Sequence, residues 1–317
     1  MKLLRILPII GIIIFLFILL NIGFDKIAIG LNAVRPLYIG ISLVILIPRI
    51  IIYNIKWNYI LKIQGIHLPF FYVLKTYFIG FFYGAITPSW IGTYVRVPYI
   101  MNKANTTLGK SVSNIIIDGI VDVLSVLLLI MLGTVLIYSY IPILLPFVVT
   151  LFFLIVIISV YFLQKQRNEG IFLSLIAYLL PEKYRLKVRK HIDAFYADIP
   201  NGKRLLIPIA IGTISSILLY TQIYFIAQGL SLNIPYLYFI LVYPIVFLIE
   251  LIPISINGLG TREGALIVLF SFMIFDISKE NILILSLIGF FVTTIIPATL
   301  GAILSLIELN KSKGIVG

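Results

Sequence analysis

The chain is dominated by a succession of apolar runs, each long enough or nearly long enough to cross a lipid bilayer. A helix of ~20 residues spans a hydrocarbon core of ~30 Å. Because every backbone polar group must be satisfied inside lipid, and because the runs lack the alternation of barrel strands, they predict helices. We therefore expect an all-α polytopic integral membrane protein, a single transmembrane domain over residues 1–317. Nine runs carry this prediction: 6–22, 37–53, 69–87, 111–138, 142–163, 204–228, 236–252, 264–276 and 282–307.

Composition excludes a soluble enzyme held by a single anchor. Hydrophobic residues make up 61% of the chain and charged residues 11%, against about 45–50% and about 25% in soluble domains. The formal net charge is +12, but most basic residues stand between apolar runs, where they set topology and meet anionic headgroups rather than nucleic acid. The chain has no Cys and only two widely separated His, and it lacks nucleotide-binding and serine-nucleophile motifs, so we expect no metal and no cofactor.

The basic segment 164–204, which carries nine Lys and Arg, indicates the sidedness of the chain. It should be cytoplasmic by the positive-inside rule, yet it would lie outside if all nine runs crossed the membrane. The conflict disappears if 69–100 is a hairpin that enters and leaves on the cytoplasmic side. The apolar face of residues 171–179 in the same segment predicts an interfacial helix on anionic lipid.

A second hairpin, over 236–276 and broken at 253–264, brings the C-terminus to the cytoplasmic side as well. We then expect about six full spans plus two broken re-entrant hairpins in the cell membrane. The N-terminus, the 164–204 loop and the C-terminus would all be cytoplasmic. The resulting order of elements predicts an inverted repeat with halves 1–140 and 141–310, and proline- and glycine-broken segments at matching positions point to a transporter site.

Ionisable residues at membrane depth cost roughly 2.5–3.5 kcal/mol each on insertion scales, so they need partners or a watery cavity. Asp118 and Asp122 lie four residues apart on one face of the fourth run. They are compatible with a polar seam between helices, with a proton or cation site, or with a counter-charge for an arginine.

Two arginines lie beside the predicted breaks. Broken helices present amide groups and a guanidinium adds a planar donor fork, so Arg96 and Arg262 predict a site for a phosphate. Pairing of Arg262 with a nearby glutamate and snorkelling of Arg96 to the headgroups are the alternatives. The expected substrate-binding residues are Arg96, Arg262, Gly92, Gly258 and Gly260, and the expected polar or coupling residues are Asp118, Asp122, Glu250, Glu263 and Asn257.

Several blocks resemble, in order and over most of the chain, the flippase-like family of the transmembrane region of lysylphosphatidylglycerol synthase. They are Trp57 to Gly65, Gly80, Pro88-x-x-x-Gly92-x-x-x-Arg96, the Asp118–Asp122 helix start and Asn257-Gly-Leu-Gly-Thr-Arg-Glu-Gly264. The chain departs from the family pattern at Thr93, where the family usually has Glu, and at Gly119, where it usually has Arg.

The resemblance implies movement of a phosphate-bearing lipid, a phospholipid or a polyprenyl-phosphate-linked lipid, between leaflets. In the synthases, aminoacyl transfer belongs to a soluble C-terminal domain, and this chain ends about ten residues after its last run, so we do not expect an enzyme. Three other functions stay open: an ion-coupled small-solute secondary transporter, a non-transporting accessory subunit of a lipid or glycan pathway, and an enzyme acting on a lipid phosphate. A homo-oligomer is compatible with each.

Overall fold

A computed structural model describes residues 17–18, 20, 23–139, 142–163, 195, 199–250, 255, 257–271 and 277–313. Most of the first apolar run and the predicted interfacial helix at 171–179 lie outside these residues. The helices are α1 (Phe24–Asn32), α2 (Pro36–Ile63), α3 (Phe70–Ala85), a 3-10 helix (Pro88–Val95), α4 (Arg96–Ala104), α5 (Leu108–Leu136), α6 (Leu144–Leu163), a 3-10 helix (Gly202–Leu205), α7 (Leu206–Gly229), α8 (Tyr236–Val242), a 3-10 helix (Tyr243–Val246), α9 (Phe247–Glu250), α10 (Thr261–Ser271), α11 (Lys279–Phe290), a π turn (Phe291–Ile295) and α12 (Ile296–Lys313).

The described chain is helical, as the apolar runs predict, and the prediction of a helical membrane protein is confirmed. Within the part of the chain that the structure describes, four stretches are long and apolar enough to cross a membrane: Pro36–Ile63, Leu108–Leu136, Gly202–Gly229 and Lys279–Asn310. Large apolar side chains such as Val44 and Ile47 point outward from α2, which suits contact with lipid. The count of six full spans stays a prediction.

Two helices differ in extent from their apolar runs. Helix α2 continues ten residues beyond the run 37–53, to Ile63, because its polar residues there are buried against neighbouring helices instead of ending the helix. The last run, 282–307, lies within a longer helix from Lys279 to Lys313 that is interrupted by the π turn.

The first predicted hairpin has antiparallel contacts. The Tyr72 hydroxyl donates to the carbonyl of Tyr99 at 3.0 Å near its open end. Near its tip, a Cβ built at Gly92 would lie only 2.0 Å from the Tyr83 carbonyl oxygen. Gly92 therefore lets the 3-10 segment approach the backbone of α3, and any larger residue would push the two arms apart.

The second hairpin is also antiparallel, but its first arm is not one helix. The rings of Phe239 and Phe270 lie 6.5 Å apart across the two arms. Pro244 lies in the 3-10 segment between α8 and α9. A proline lacks the N–H of the helical ladder and clashes with the preceding turn, so it interrupts the α-helix there. The break ends earlier than predicted: α10 begins at Thr261, so Arg262 lies in its first turn and not in the irregular segment.

The two halves make reciprocal close contacts. A Cβ at Gly133 on α5 would lie 1.9 Å from the carbonyl oxygen of Leu241 on α8, and one at Gly301 on α12 would lie 2.0 Å from that of Phe78 on α3. The helix that follows each hairpin thus packs, through a glycine, on the first arm of the other hairpin. The inverted repeat with halves 1–140 and 141–310 stays a prediction.

Candidate functional site

The paired aspartates of α5 meet a lysine on α2. Lys56 Nζ lies 2.9 Å from Asp118 Oδ1 and also contacts Asp122 Oδ1. The Tyr53 hydroxyl, one turn earlier on α2, donates to Asp122 Oδ2 at 2.8 Å and lies 3.3 Å from Asp118 Oδ2. Both Lys56 and Asp118 are buried, so this pairing, and not water, neutralises them.

Arg96 joins the same carboxylate from the first hairpin. Its Nη1 is 2.9 Å from Asp118 Oδ2, and its Nε donates to the Thr93 carbonyl at 3.2 Å. Its Nη2 makes no hydrogen bond to any residue that the structure describes. The hydroxyl of Thr93 donates to the Trp90 carbonyl, and the carboxylate that pairs with Arg96 comes from α5.

Neighbouring side chains fix the orientation of Arg96. Its guanidinium carbon lies 4.6 Å from the centre of the Trp57 ring, and the indole N–H of that ring donates to Asn114 Oδ1 at 2.9 Å. A Cβ at Gly80 would lie 2.5 Å from Arg96 Cγ. Gly80 therefore provides the space through which Arg96 reaches Asp118.

We call Lys56, Arg96, Asp118 and Asp122 the charge cluster. Its two cations and two carboxylates sum to zero, which makes four charges tolerable at membrane depth. The side chain of Asp118 is 1% exposed whereas that of Asp122 is 34% exposed. The charge cluster is therefore closed around Asp118 and open at Asp122.

Arg262 lies in a second polar group. Its Nη2 is 2.7 Å from Glu263 Oε1, and its Nε donates to the Ser286 hydroxyl on α11 at 2.7 Å. The same hydroxyl donates to Glu263 Oε1 at 2.6 Å. Of the alternatives for Arg262, the structure has the local pair with Glu263. We call Arg262, Glu263 and Ser286 the second-half pair.

The glycines of the second break shape the backbone. Gly258 and Gly260 have φ of 77° and 81°, and Asn257 has φ of 53°, the left-handed region that favours glycine. The Gly260 N–H donates to Glu263 Oε2 at 2.6 Å, so Glu263 also caps the start of α10 in the manner of a capping box. A Cβ at Gly258 would lie 3.1 Å from Glu250 Oε1, which places that carboxylate beside the turn.

The predicted site residues thus divide into two groups. The charge cluster holds Arg96, Asp118 and Asp122, and Arg262 lies with the glycines and glutamates of the second break. Gly92, Gly258 and Gly260 have clear backbone roles. Their part in binding a substrate stays a prediction, as does the function of every other predicted residue.

Sequence reasoning missed two members of these groups, Lys56 and Ser286, and the contacts that Tyr53 and Trp57 make with the charge cluster. Arg49, Tyr53 and Lys56 follow one another at spacings of four and three on a single face of α2. That periodicity is visible in the sequence, but the apolar run 37–53 ends three residues before Lys56.

Comparison with known proteins decides the family. Residues 4–301 match the family described as the lysylphosphatidylglycerol synthase transmembrane region. The chain belongs to this family. It is also similar to a UPF0104 membrane protein of Methanocaldococcus jannaschii, at 25% identity over 98% of this chain and 97% of that protein. A UPF0104 membrane protein of Pyrococcus horikoshii is 24% identical over 85% of this chain and 86% of the relative. The resemblance predicted from the sequence motifs is confirmed.

Proposed function

We propose that this family member moves a phosphate-bearing lipid, a phospholipid or a polyprenyl-phosphate-linked lipid, between the leaflets of the cell membrane. The observation that carries the proposal is the charge cluster: two cations held by two carboxylates among membrane helices, with one open side at Asp122. Buried ionisable groups in a bilayer mark a transport path more often than a structural contact. The Nη2 group of Arg96 remains for a phosphate oxygen while Asp118 holds the other end of the guanidinium.

The reciprocal packing of the two halves supports a transporter. Inverted repeats with broken helices near the midplane are the architecture through which one half moves against the other. Arg96 is the first residue of α4 and Arg262 the second of α10, so each hairpin presents a guanidinium just after its break. In the proposed topology the N-terminus, the 164–204 loop and the C-terminus are cytoplasmic, and the loop rests on anionic headgroups.

An ion-coupled small-solute transporter is the second candidate, because the open carboxylate of Asp122 beside Lys56 suits a coupling proton. Transport that follows a pH gradient without any lipid movement would favour it. We propose a transporter and not an enzyme acting on a lipid phosphate. An accessory subunit would be favoured if Arg96→Ala and Arg262→Ala both left the function of the pathway intact.

The direct test is exchange of labelled phospholipid and labelled polyprenyl phosphate between leaflets of liposomes that contain the purified full chain. We expect exchange with the wild type and its loss in Arg96→Ala. The double variant Arg96→Gln with Asp118→Asn keeps the charge cluster neutral, so loss of exchange in that variant cannot be ascribed to an unpaired buried charge. Arg35→Gln removes an exposed charge at the start of α2 and should exchange normally. Absence of exchange of either lipid by the wild type would overturn the proposal.

A further inference from the structure

Arg49 lies on the same face of α2 as the charge cluster, two helical turns before Lys56, but is not part of it. Its Nη1 lies 3.4 Å from Gln222 Oε1 on α7 and 3.5 Å from the Thr293 carbonyl in the π turn. Both contacts are long for hydrogen bonds, and neither partner is charged. The side chain is half-buried, so part of it remains accessible.

Arg49 differs in this from the other cations in the described helical interior. Lys56, Lys75, Arg96 and Arg262 each have a carboxylate oxygen within salt-bridge distance. Among the residues that the structure describes, Arg49 has none. Since the charge cluster is neutral, Arg49 leaves this part of the interior with one uncompensated positive charge.

The surroundings of Arg49 hold the guanidinium without neutralising it. Gln222 is fixed by its own amide, which donates to the Ser42 carbonyl at 3.0 Å, and this leaves its oxygen for Arg49. The π turn displaces the hydrogen-bond ladder around Thr293, and such turns are frequent at functional sites. Three segments, α2, α7 and the π turn, thus meet at an oriented cation.

The charges nearest to Arg49 allow an anion to approach. The Asp122 carboxylate lies beyond salt-bridge distance of Arg49 and is already paired with Lys56. The hydrogen-bond partners of Arg49 are an amide oxygen and a backbone carbonyl, both uncharged. A guanidinium among uncharged acceptors, next to a neutral charge cluster, is suited to a ligand that brings its own negative charge.

We propose that Arg49 binds the phosphate oxygens of the transported ligand. The planar donor fork of arginine matches two phosphate oxygens at once. Identification of the phosphate as a lipid headgroup rests on the proposed function, whereas the anion site at Arg49 stands without it. Arg49 then adds a guanidinium that no carboxylate of the described residues holds, beside the Nη2 group of Arg96.

Binding to the full chain in detergent micelles tests the site independently of transport. The probes are dihexanoyl phosphatidate, the uncharged dihexanoylglycerol and inorganic phosphate, each titrated by calorimetry. We expect phosphatidate to bind the wild type and dihexanoylglycerol not to bind. Arg49→Gln should weaken phosphatidate binding about tenfold or more, the loss of one charge-assisted hydrogen bond. Arg35→Gln, which removes a charge from the exposed end of the same helix, should bind like the wild type.

One further variant and a stability measurement separate loss of binding from loss of folding. Arg49→Lys retains the charge but not the fork, and its affinity should fall between those of the wild type and Arg49→Gln. Because Arg49→Gln removes an unpaired charge, its melting temperature without ligand should be no lower than that of the wild type. Equal phosphatidate affinity of Arg49→Gln and wild type, or no binding of any phosphate to the wild type, would overturn the site.

The outcomes separate this inference from the proposed function. Arg49-dependent binding in a protein that exchanges no lipid would leave the anion site standing and refute lipid translocation. Inorganic phosphate binding as tightly as phosphatidate would confirm the site and assign it to a free anion. Lipid exchange that survives in Arg49→Gln would refute the role of Arg49 while the transporter proposal stands.

Discussion

Asp118 is the residue whose loss should cost the fold most. It is the only carboxylate within salt-bridge distance of Arg96 among the described residues, and it shares Lys56 with Asp122. Asp118→Asn keeps the shape of the side chain but leaves the charge cluster with two cations and one carboxylate. Removing one partner of a buried ion pair typically costs about 3–5 kcal/mol, and we expect a loss of unfolding free energy in this range.

The matched control is Asp122→Asn, on the same face of the same helix. Asp122 is 34% exposed and, among the described residues, its carboxylate contacts Lys56 and Tyr53 only. After its substitution Lys56 still has Asp118. We expect a loss of roughly 1–2 kcal/mol, typical of one hydrogen bond to a charged group. The difference between the unfolding free energies of the two variants measures how much more a carboxylate contributes when it is buried than when it is partly exposed.

Equilibrium unfolding by a denaturing detergent in mixed micelles, followed by circular dichroism, measures these free energies. The decisive comparison is a double-mutant cycle of Asp118→Asn with Arg96→Gln. Because the double variant restores neutrality, it should lose less than the sum of the single losses, by roughly 1–3 kcal/mol. Additivity within about 0.5 kcal/mol would show that the two side chains are not coupled and would refute the ion-pair account.

Two further predictions concern glycine packing and one buried hydroxyl. Gly133→Ala and Gly301→Ala each place a Cβ within about 2 Å of a backbone oxygen on another helix, so both should lower the free energy of unfolding in detergent. Gly119→Ala is the control: its Cβ meets nothing within 4 Å, and it should raise that free energy by up to about 1 kcal/mol through helix propensity. Equal effects at the three positions would contradict the reciprocal packing. Ser286→Ala removes a hydroxyl that bonds Glu263 and its neighbouring arginine; we expect a loss of about 1–3 kcal/mol in the unfolding free energy, and no loss would show that the hydroxyl is dispensable.

The sequence predicted the helices well where a continuous apolar run coincides with the whole helix. The run 69–87 is close to α3 and the run 142–163 is close to α6. The prediction from apolar runs failed where a helix continues through polar residues that contacts with other helices satisfy. Asn54 and Lys56 are fully buried in the last part of α2, and a hydropathy run cannot extend through such residues without knowledge of the helices that pair with them.

The sequence predicted both carboxylates of the charge cluster, but of its two cations it predicted Arg96 and missed Lys56. The spacing of Asp118 and Asp122 identified the polar face of α5, and a counter-charge to an arginine was among the functions proposed for it. The pairing with Lys56 depends on how α2 and α5 pack, which sequence spacing alone does not determine. The π turn next to Arg49, Phe291–Ile295, was not predicted either, because it lies inside the continuous run 282–307.

The two hairpins hold their arginines in different ways, and this difference bears on which hairpin can move. Arg96 takes its carboxylate from α5, so the first hairpin cannot leave that helix without separating a buried ion pair. Arg262 takes its carboxylate from Glu263 on its own helix, and only the Ser286 hydroxyl joins the pair to α11. Charge separation in the low-dielectric interior costs several kcal/mol, whereas a hydroxyl contact costs about 1 kcal/mol. The arginine contacts therefore oppose a shift of the first hairpin more strongly than a shift of the second, and the larger loss expected for Asp118→Asn than for Ser286→Ala follows from the same asymmetry.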